Sequence, residues 1–135
     1  MNEAIREVLG EAGAPPLPEP LAGSIVDSHT HLDTVQDVVG IEPAISLAAA
    51  REVGVTRIAQ IGCDVAGSEF AEELARTHKN VIAAVAIHPN DAARLGRTTI
   101  GEALKRIDEL ASVGNHVRAI GETGIDHFGT TDADG

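Results

Sequence analysis

The sequence predicts an α/β fold whose strands form a parallel sheet. Three observations support this: short apolar runs alternate with segments of helical periodicity, the helical segments carry start and stop signals, and the loops between them are short. The predicted order is β-α-β-α-β-α-β, and this alternation favours a parallel sheet with right-handed crossovers. Periodicity does not distinguish an open sheet, such as a flavodoxin-like or Rossmann-like one, from part of a barrel.

The four predicted strands are short and rich in apolar residues. The third is almost entirely apolar, as expected for a strand covered on both faces, and the first is also expected to be buried. No G-x-G-x-x-G or G-x-x-x-x-G-K-[ST] motif follows the first strand, which argues against a nucleotide site. The predicted strands cover 24–27, 55–62, 81–87 and 116–121.

The helices before and after the second predicted strand are recognised from their ends. Pro43 stands where a helix start tolerates proline, and Gly54 is placed to end the helix over 44–53 in a left-handed conformation. Ser68 is predicted to cap the second helix, which runs to about His78.

The third predicted helix begins with a capping box, Thr-Ile-Gly-Glu, at 99–102. Helical spacing predicts that its buried side consists of Leu104, Ile107, Leu110 and Ala111.

Before the first strand, residues 1–23 are predicted to form a leader helix and a proline-rich linker. Ile5, Val8 and Leu9 lie on one side of this helix, and four prolines between positions 15 and 20 favour an extended backbone. The predicted domain then covers 24–128, and 129–135 form a tail.

The composition argues against several classes of protein. With 10 Lys and Arg against 21 Asp and Glu, the net charge is −11, whereas proteins that hold nucleic acid by phosphate neutralisation are basic. No apolar run reaches the roughly 20 residues of a membrane-spanning helix. The first seven residues lack the basic start and apolar core of a signal peptide. We therefore expect a cytoplasmic protein that binds no membrane.

Side chains with metal-ligating or acid–base chemistry follow the predicted strands. The carboxyl ends of parallel strands meet at one edge of the sheet, where α/β proteins bind their ligands. We therefore predict a ligand site at this edge. The residues in question are His29, His31, Cys63, His88, Glu122, Asp126 and His127.

His29 and His31 are the strongest of these candidates. Side chains alternate between the faces of a strand, so residues i and i+2 point to the same side and two imidazoles can reach one metal ion. An H-x-H pair alone is a weak signal, but Glu122, placed between glycines after the fourth strand, adds a carboxylate. Imidazole and carboxylate ligands suit Zn²⁺ and related ions, which activate water.

The roles of the other polar residues stay open at this point. His88 is either an exposed loop residue or a contact for a substrate phosphate, and Asp33 either supports a ligand or caps the next helix. Asp126 and His127 are expected to orient the metal ligands. Cys63 is expected to be a small buried residue.

Three motifs resemble the TatD family of metal-dependent deoxyribonucleases, which belong to the amidohydrolase-type barrels. They are VDSHTHLD at 26–33, AIHP at 86–89 and AIGETGIDHF at 119–128. Two positions depart from the family pattern, since Ala86 replaces a glycine and Ile125 replaces a leucine. The resemblance covers roughly residues 24–128.

This resemblance implies the N-terminal half of a TIM-type (β/α)8 barrel. His29, His31 and Glu122 would bind divalent cations, Mg²⁺, Mn²⁺ or Zn²⁺, and His88 would lie near the substrate phosphate. The implied activity is hydrolysis of phosphodiester bonds in DNA or oligonucleotides, of the exonuclease type. A bound cation would also attract a polyanion to an acidic protein.

The length of the chain is the main departure from this family. A complete barrel needs roughly 250 residues, and the chain has 135. The family's later His ligands and late Asp have no counterpart, so no catalytic residue is assigned, and we expect the incomplete barrel to be weak or inactive alone. The alternatives are an amidohydrolase acting on a small ester or amide, a non-catalytic fragment, or a module that self-associates through its open sheet edges.

Overall fold

The computed structural model describes residues 3–127, which contain five helices and four strands. The tail predicted over 129–135 lies outside the described residues. The elements are α1 Glu3–Glu11, β1 Ile25–Thr30, α2 Leu32–Val39, α3 Pro43–Glu52, β2 Val55–Ile61, α4 Val65–Thr77, β3 Val81–Val85, α5 Pro89–Ala111 and β4 Val117–Ile120.

The strands form one parallel sheet in the order β1-β2-β3-β4. At its end, β3 pairs with β4 in parallel, with a register shift between Ala83 and Ala84. A doubly wound sheet reverses its order near the middle, whereas a (β/α)8 barrel adds its strands in sequence. The predicted α/β fold is therefore confirmed, and the strand order is that of part of a TIM-type barrel.

The chain divides into two compact units, Met1–Ile58 and Ala59–Gly135, whose boundary lies within β2. The core of the first unit includes the leader helix, because Ile5 and Leu9 are buried against Ile41 and Ala49. The N-terminal helix is thus packed within its unit.

Gly54 ends α3 as predicted, with a φ of +96°. Its N–H donates to the carbonyl of Arg51. A Cβ at this position would lie 3.1 Å from both the Gly23 carbonyl oxygen and the Leu21 Cβ. Glycine is therefore required here both by the left-handed backbone and by the close approach of the preceding segment.

The core of the second unit lies between β3 and α5. It is formed by Val85, Ile87, Ala103, Ile107 and Leu110. Leu104, predicted to be on the buried side of the helix, is instead 53% exposed. That prediction was wrong by one position, since Ala103 occupies the place against the core.

Two predicted helix starts are also wrong. Helix α4 begins at Val65, because the Asp64 side chain accepts a hydrogen bond from the Gly67 N–H at 2.7 Å and so supplies the cap. Ser68, predicted as the cap, is completely buried; its hydroxyl donates to the Ala86 carbonyl and accepts from the Ala86 N–H, each at 3.2 Å.

Helix α5 begins at Pro89, ten residues before the predicted capping box. His88 caps it, and Gly96 kinks it with a φ of 69° and a ψ of 165°. The residues of the predicted box therefore lie in the part of α5 that follows the kink.

Helix α2, between the first strand and α3, was not predicted.

Strand β1 differs from its prediction in both length and burial. It extends to Thr30, and Ile25 and Val26 are 44% and 59% exposed. β1 is also an edge strand of the described sheet, so it has a neighbouring strand on one side only. Among residues 3–127, no helix is both long enough and apolar enough to cross a bilayer.

Candidate metal centre

The first unit carries the two histidines of the candidate site. Because β1 extends to Thr30, His29 lies within the strand, not after it as predicted, and His31 follows directly. The two Nε2 atoms are 3.1 Å apart, and the ring centroids are 5.0 Å apart. The structure thus brings the predicted pair together, as the two-residue period of a strand requires.

The spacing of these imidazoles fits joint coordination of a cation. With metal–nitrogen distances of about 2.0–2.1 Å, two ligand nitrogens lie about 2.9 Å apart at a right angle and about 3.4 Å apart at a tetrahedral angle. The observed 3.1 Å between the Nε2 atoms falls between these values. Binding through Nε2 leaves the ring proton of each histidine on Nδ1.

In the second unit, Glu122 follows β4 and meets two other candidate residues. The Cys63 thiol donates a hydrogen bond to Glu122 Oε2 at 3.4 Å. His88 Nε2 lies 3.8 Å from the same oxygen. The backbone joins the same residues, since the His88 N–H donates to the Cys63 carbonyl at 2.6 Å. Segments from three strand ends therefore converge on one carboxylate.

His88 is held in a defined orientation by its position at the start of α5. Its Nδ1 accepts a hydrogen bond from the Asn90 N–H at 3.2 Å. A neutral imidazole has one acceptor and one donor nitrogen, so the acceptor at Nδ1 places the ring proton on Nε2. His88 therefore presents an N–H donor on the side that carries Glu122. Besides the two roles predicted from the sequence, His88 therefore also caps helix α5.

The structure gives separate positions and contacts for the remaining predicted residues, Asp126, His127 and Asp33. Asn90 Nδ2 donates to Asp126 Oδ2 at 3.2 Å, which links the loop after β4 to the start of α5. His127 is exposed. Asp33 lies in the first turn of α2, whose cap position belongs to His31, so the capping role considered for Asp33 was wrong.

Sequence reasoning missed Asn90 and underestimated Cys63. Asn90 follows the His-Pro pair, and a proline at the first position of a helix was the signal that could have placed it in the first turn. Cys63 was expected to be a small buried residue, but it is half-buried and donates to Glu122. Nothing in the local sequence indicates that contact, because its partners are 59 residues apart.

Comparison with known families agrees with the three motifs. A family model described as TatD related DNase matches residues 26–134. The chain belongs to the TatD family. This confirms the resemblance drawn from the sequence, and the matched range includes His29, His31 and Glu122.

A curated relative from Mycobacterium tuberculosis is named "Uncharacterized metal-dependent hydrolase TatD". It is 35% identical to the chain over 108 residues, which are 77% of the chain and 38% of that relative. The chain thus spans well under half the length of the TatD protein it matches.

Proposed function

We propose that this chain contributes the metal-binding part of a TatD-type hydrolase that cleaves phosphodiester bonds in DNA or oligonucleotides, in the manner of an exonuclease. The observation that carries the proposal is the His29–His31 pair, whose Nε2 atoms are spaced at 3.1 Å for a shared cation. Family membership and the name of the tuberculosis relative support a metal-dependent reaction.

In this proposal, His29, His31 and Glu122 hold Mg²⁺, Mn²⁺ or Zn²⁺. All three follow or end strands of one parallel sheet, and ligands of such sheets bind at the carboxyl ends of the strands. A bound divalent cation supplies Lewis-acid polarisation of the phosphate and activation of a water molecule. The two histidines bind through Nε2 and keep their protons on Nδ1.

His88 is proposed to hold the substrate phosphate. Its Nε2–H is the donor left by the cap hydrogen bond at Nδ1, and a phosphate oxygen is an acceptor. Asp126 is proposed to keep the start of α5 in place through Asn90. His127 and Asp33 are proposed to support the metal ligands, as expected from the sequence.

The acidity of the chain fits a substrate drawn in by a cation. At a net charge of −11, the protein as a whole repels a polyanion. A divalent ion reverses the local field at the site. Because the chain covers 38% of its relative, we expect it to bind the cation weakly and to be slow or inactive by itself.

The test uses a single-stranded DNA labelled at its 5′ end, with Mg²⁺, Mn²⁺ or Zn²⁺ added in turn. Binding of each cation is measured in parallel by calorimetry. The test protein is the double variant His29→Ala/His31→Ala, and the control is His78→Ala, which removes an imidazole bonded to the Leu74 carbonyl at the end of α4.

The double variant is expected to lose about tenfold or more in cation affinity and to lose any cleavage, because it lacks both imidazole ligands. The control is expected to match the wild type in cation affinity. Equal affinity and equal cleavage in the double variant would refute the proposal. Cation-dependent hydrolysis of a small ester with intact DNA would instead assign the chain to an amidohydrolase of another specificity.

A further inference from the structure

We propose that Cys63 is a positioning residue for the Glu122 carboxylate, and so sets how tightly the chain binds its cation. The proposal rests on the proposed function, in which Glu122 is a metal ligand. Its basis is the hydrogen bond from the thiol to Glu122 Oε2, at 3.4 Å. Mutation of a group that orients a metal ligand typically lowers metal affinity by about 10–100-fold.

The Cys63 thiol places a hydrogen-bond donor directly on one carboxylate oxygen, Glu122 Oε2. His88 Nε2 lies 3.8 Å from the same oxygen, which is beyond hydrogen-bond distance and leaves its N–H for the substrate. A carboxylate rotates freely about its last bond in solution, and a hydrogen bond from the thiol to one of its oxygens restricts this rotation. Glu122 is therefore held in one orientation before a cation arrives, which lowers the entropy lost on binding.

The thiol is itself held on a rigid support. The Cys63 carbonyl accepts the His88 N–H at 2.6 Å, which fixes the end of β2 against the end of β3. The preceding residue, Gly62, packs so closely on α4 that a Cβ there would lie 2.4 Å from the Ser68 Cα. These two contacts hold the Cys63 backbone, from which the thiol reaches Glu122 Oε2.

Two substitutions of Cys63 test whether its hydrogen-bond donor is what matters. Cys63→Ser keeps a donor of similar size, and Cys63→Ala removes the donor. If Cys63 acts by holding Glu122, serine preserves cation affinity and alanine does not. If Cys63 instead binds the cation directly as a thiolate, the Co²⁺ complex of the wild type has a sulfur-to-metal charge-transfer band. The Co²⁺ complex of Cys63→Ser then lacks this band.

The first measurement examines the hydrogen bond without any metal. The chain has one cysteine, so its infrared S–H stretching band reports a single site. In the metal-free wild type we expect this band at the lower frequency of a bonded thiol, and in Glu122→Ala we expect it to rise. An unchanged band would overturn the proposal.

The second measurement titrates the full chain and both Cys63 variants with Co²⁺, followed by its visible absorption bands. We expect Cys63→Ala to weaken Co²⁺ binding by about 10–100-fold and Cys63→Ser to stay within about threefold of the wild type. Circular dichroism of the metal-free proteins checks that both variants fold. Rescue by serine separates a role in orienting Glu122 from a general effect of altered packing.

The outcomes separate the inference from the proposed function. Equal Co²⁺ affinity in wild type and Cys63→Ala overturns the positioning role and leaves the metal site standing. A charge-transfer band in the wild type also overturns it, since Cys63 would then be a ligand. Failure of the wild type to bind Co²⁺ at all overturns the proposed function and this inference with it.

Discussion

A methyl group added at Gly62 is expected to destabilise the second unit strongly. The Cβ of Gly62→Ala would lie 2.4 Å from the Ser68 Cα, 2.5 Å from its Oγ and 2.6 Å from its N. Carbon atoms are in optimal contact at about 3.5–4.0 Å. The end of β2 and the first turn of α4 must therefore separate by about 1 Å, because backbone atoms cannot rotate away.

The size of the effect follows from this clash. Forcing an extra methyl group into a well-packed interior typically costs about 1–3 kcal/mol, and a clash with backbone belongs at the upper end, about 3 kcal/mol. Gly101 offers a matched control, since it lies within α5 and nothing is within 4 Å of its Cβ position. There the same substitution favours the helix and stabilises by about 0.5–1 kcal/mol.

The assay is urea unfolding of wild type, Gly62→Ala and Gly101→Ala, followed by circular dichroism. The two variants should differ by about 4 kcal/mol, which at a slope of about 2 kcal/mol per molar urea separates their midpoints by about 2 M. The midpoints should lie on opposite sides of the wild type. If Gly62→Ala unfolds at or above the wild-type midpoint, the close packing of β2 on α4 is refuted.

Three further substitutions are expected to change stability, each by a separate mechanism. Ser68→Ala leaves the buried N–H and carbonyl of Ala86 without their hydroxyl partner and should lower the free energy of unfolding by about 1–3 kcal/mol in urea titrations. Asp64→Ala removes the acceptor for the Gly67 N–H and should lower it by about 1 kcal/mol, whereas Asp64→Asn should restore most of the loss. Gly96→Ala places a side chain at a φ of 69° and should lower the thermal midpoint, where an unchanged midpoint would contradict the kink in α5.

Local patterns predicted the parts of the site that lie close together in the chain. The pairing of His29 with His31 follows from the two-residue period of a strand, which holds wherever the strand ends. That is why the prediction held although β1 extends further than expected. Gly54 was predicted correctly for a similar reason, since a left-handed residue at a helix end is a local steric requirement.

The wrong helix starts show where local signals compete. Asp64 and Ser68 are both good capping residues four positions apart, and the capping box at 99–102 is as regular as the His-Pro start at 88–89. Burial decided the first case, because Ser68 is needed inside the unit to satisfy Ala86. The cap formed by the His88 side chain decided the second.

The sequence by itself determined the alternation of strands and helices, the family and the identity of the proposed ligands. These depend on periodicity, residue type and spacing, which are properties of short continuous segments of the chain. Only the tertiary structure decided that the strands lie in sequential order, that Gly62 touches α4, and that Cys63 donates to Glu122. Such contacts join segments that are distant along the chain, and their geometry exists only once the sheet and its helices have packed.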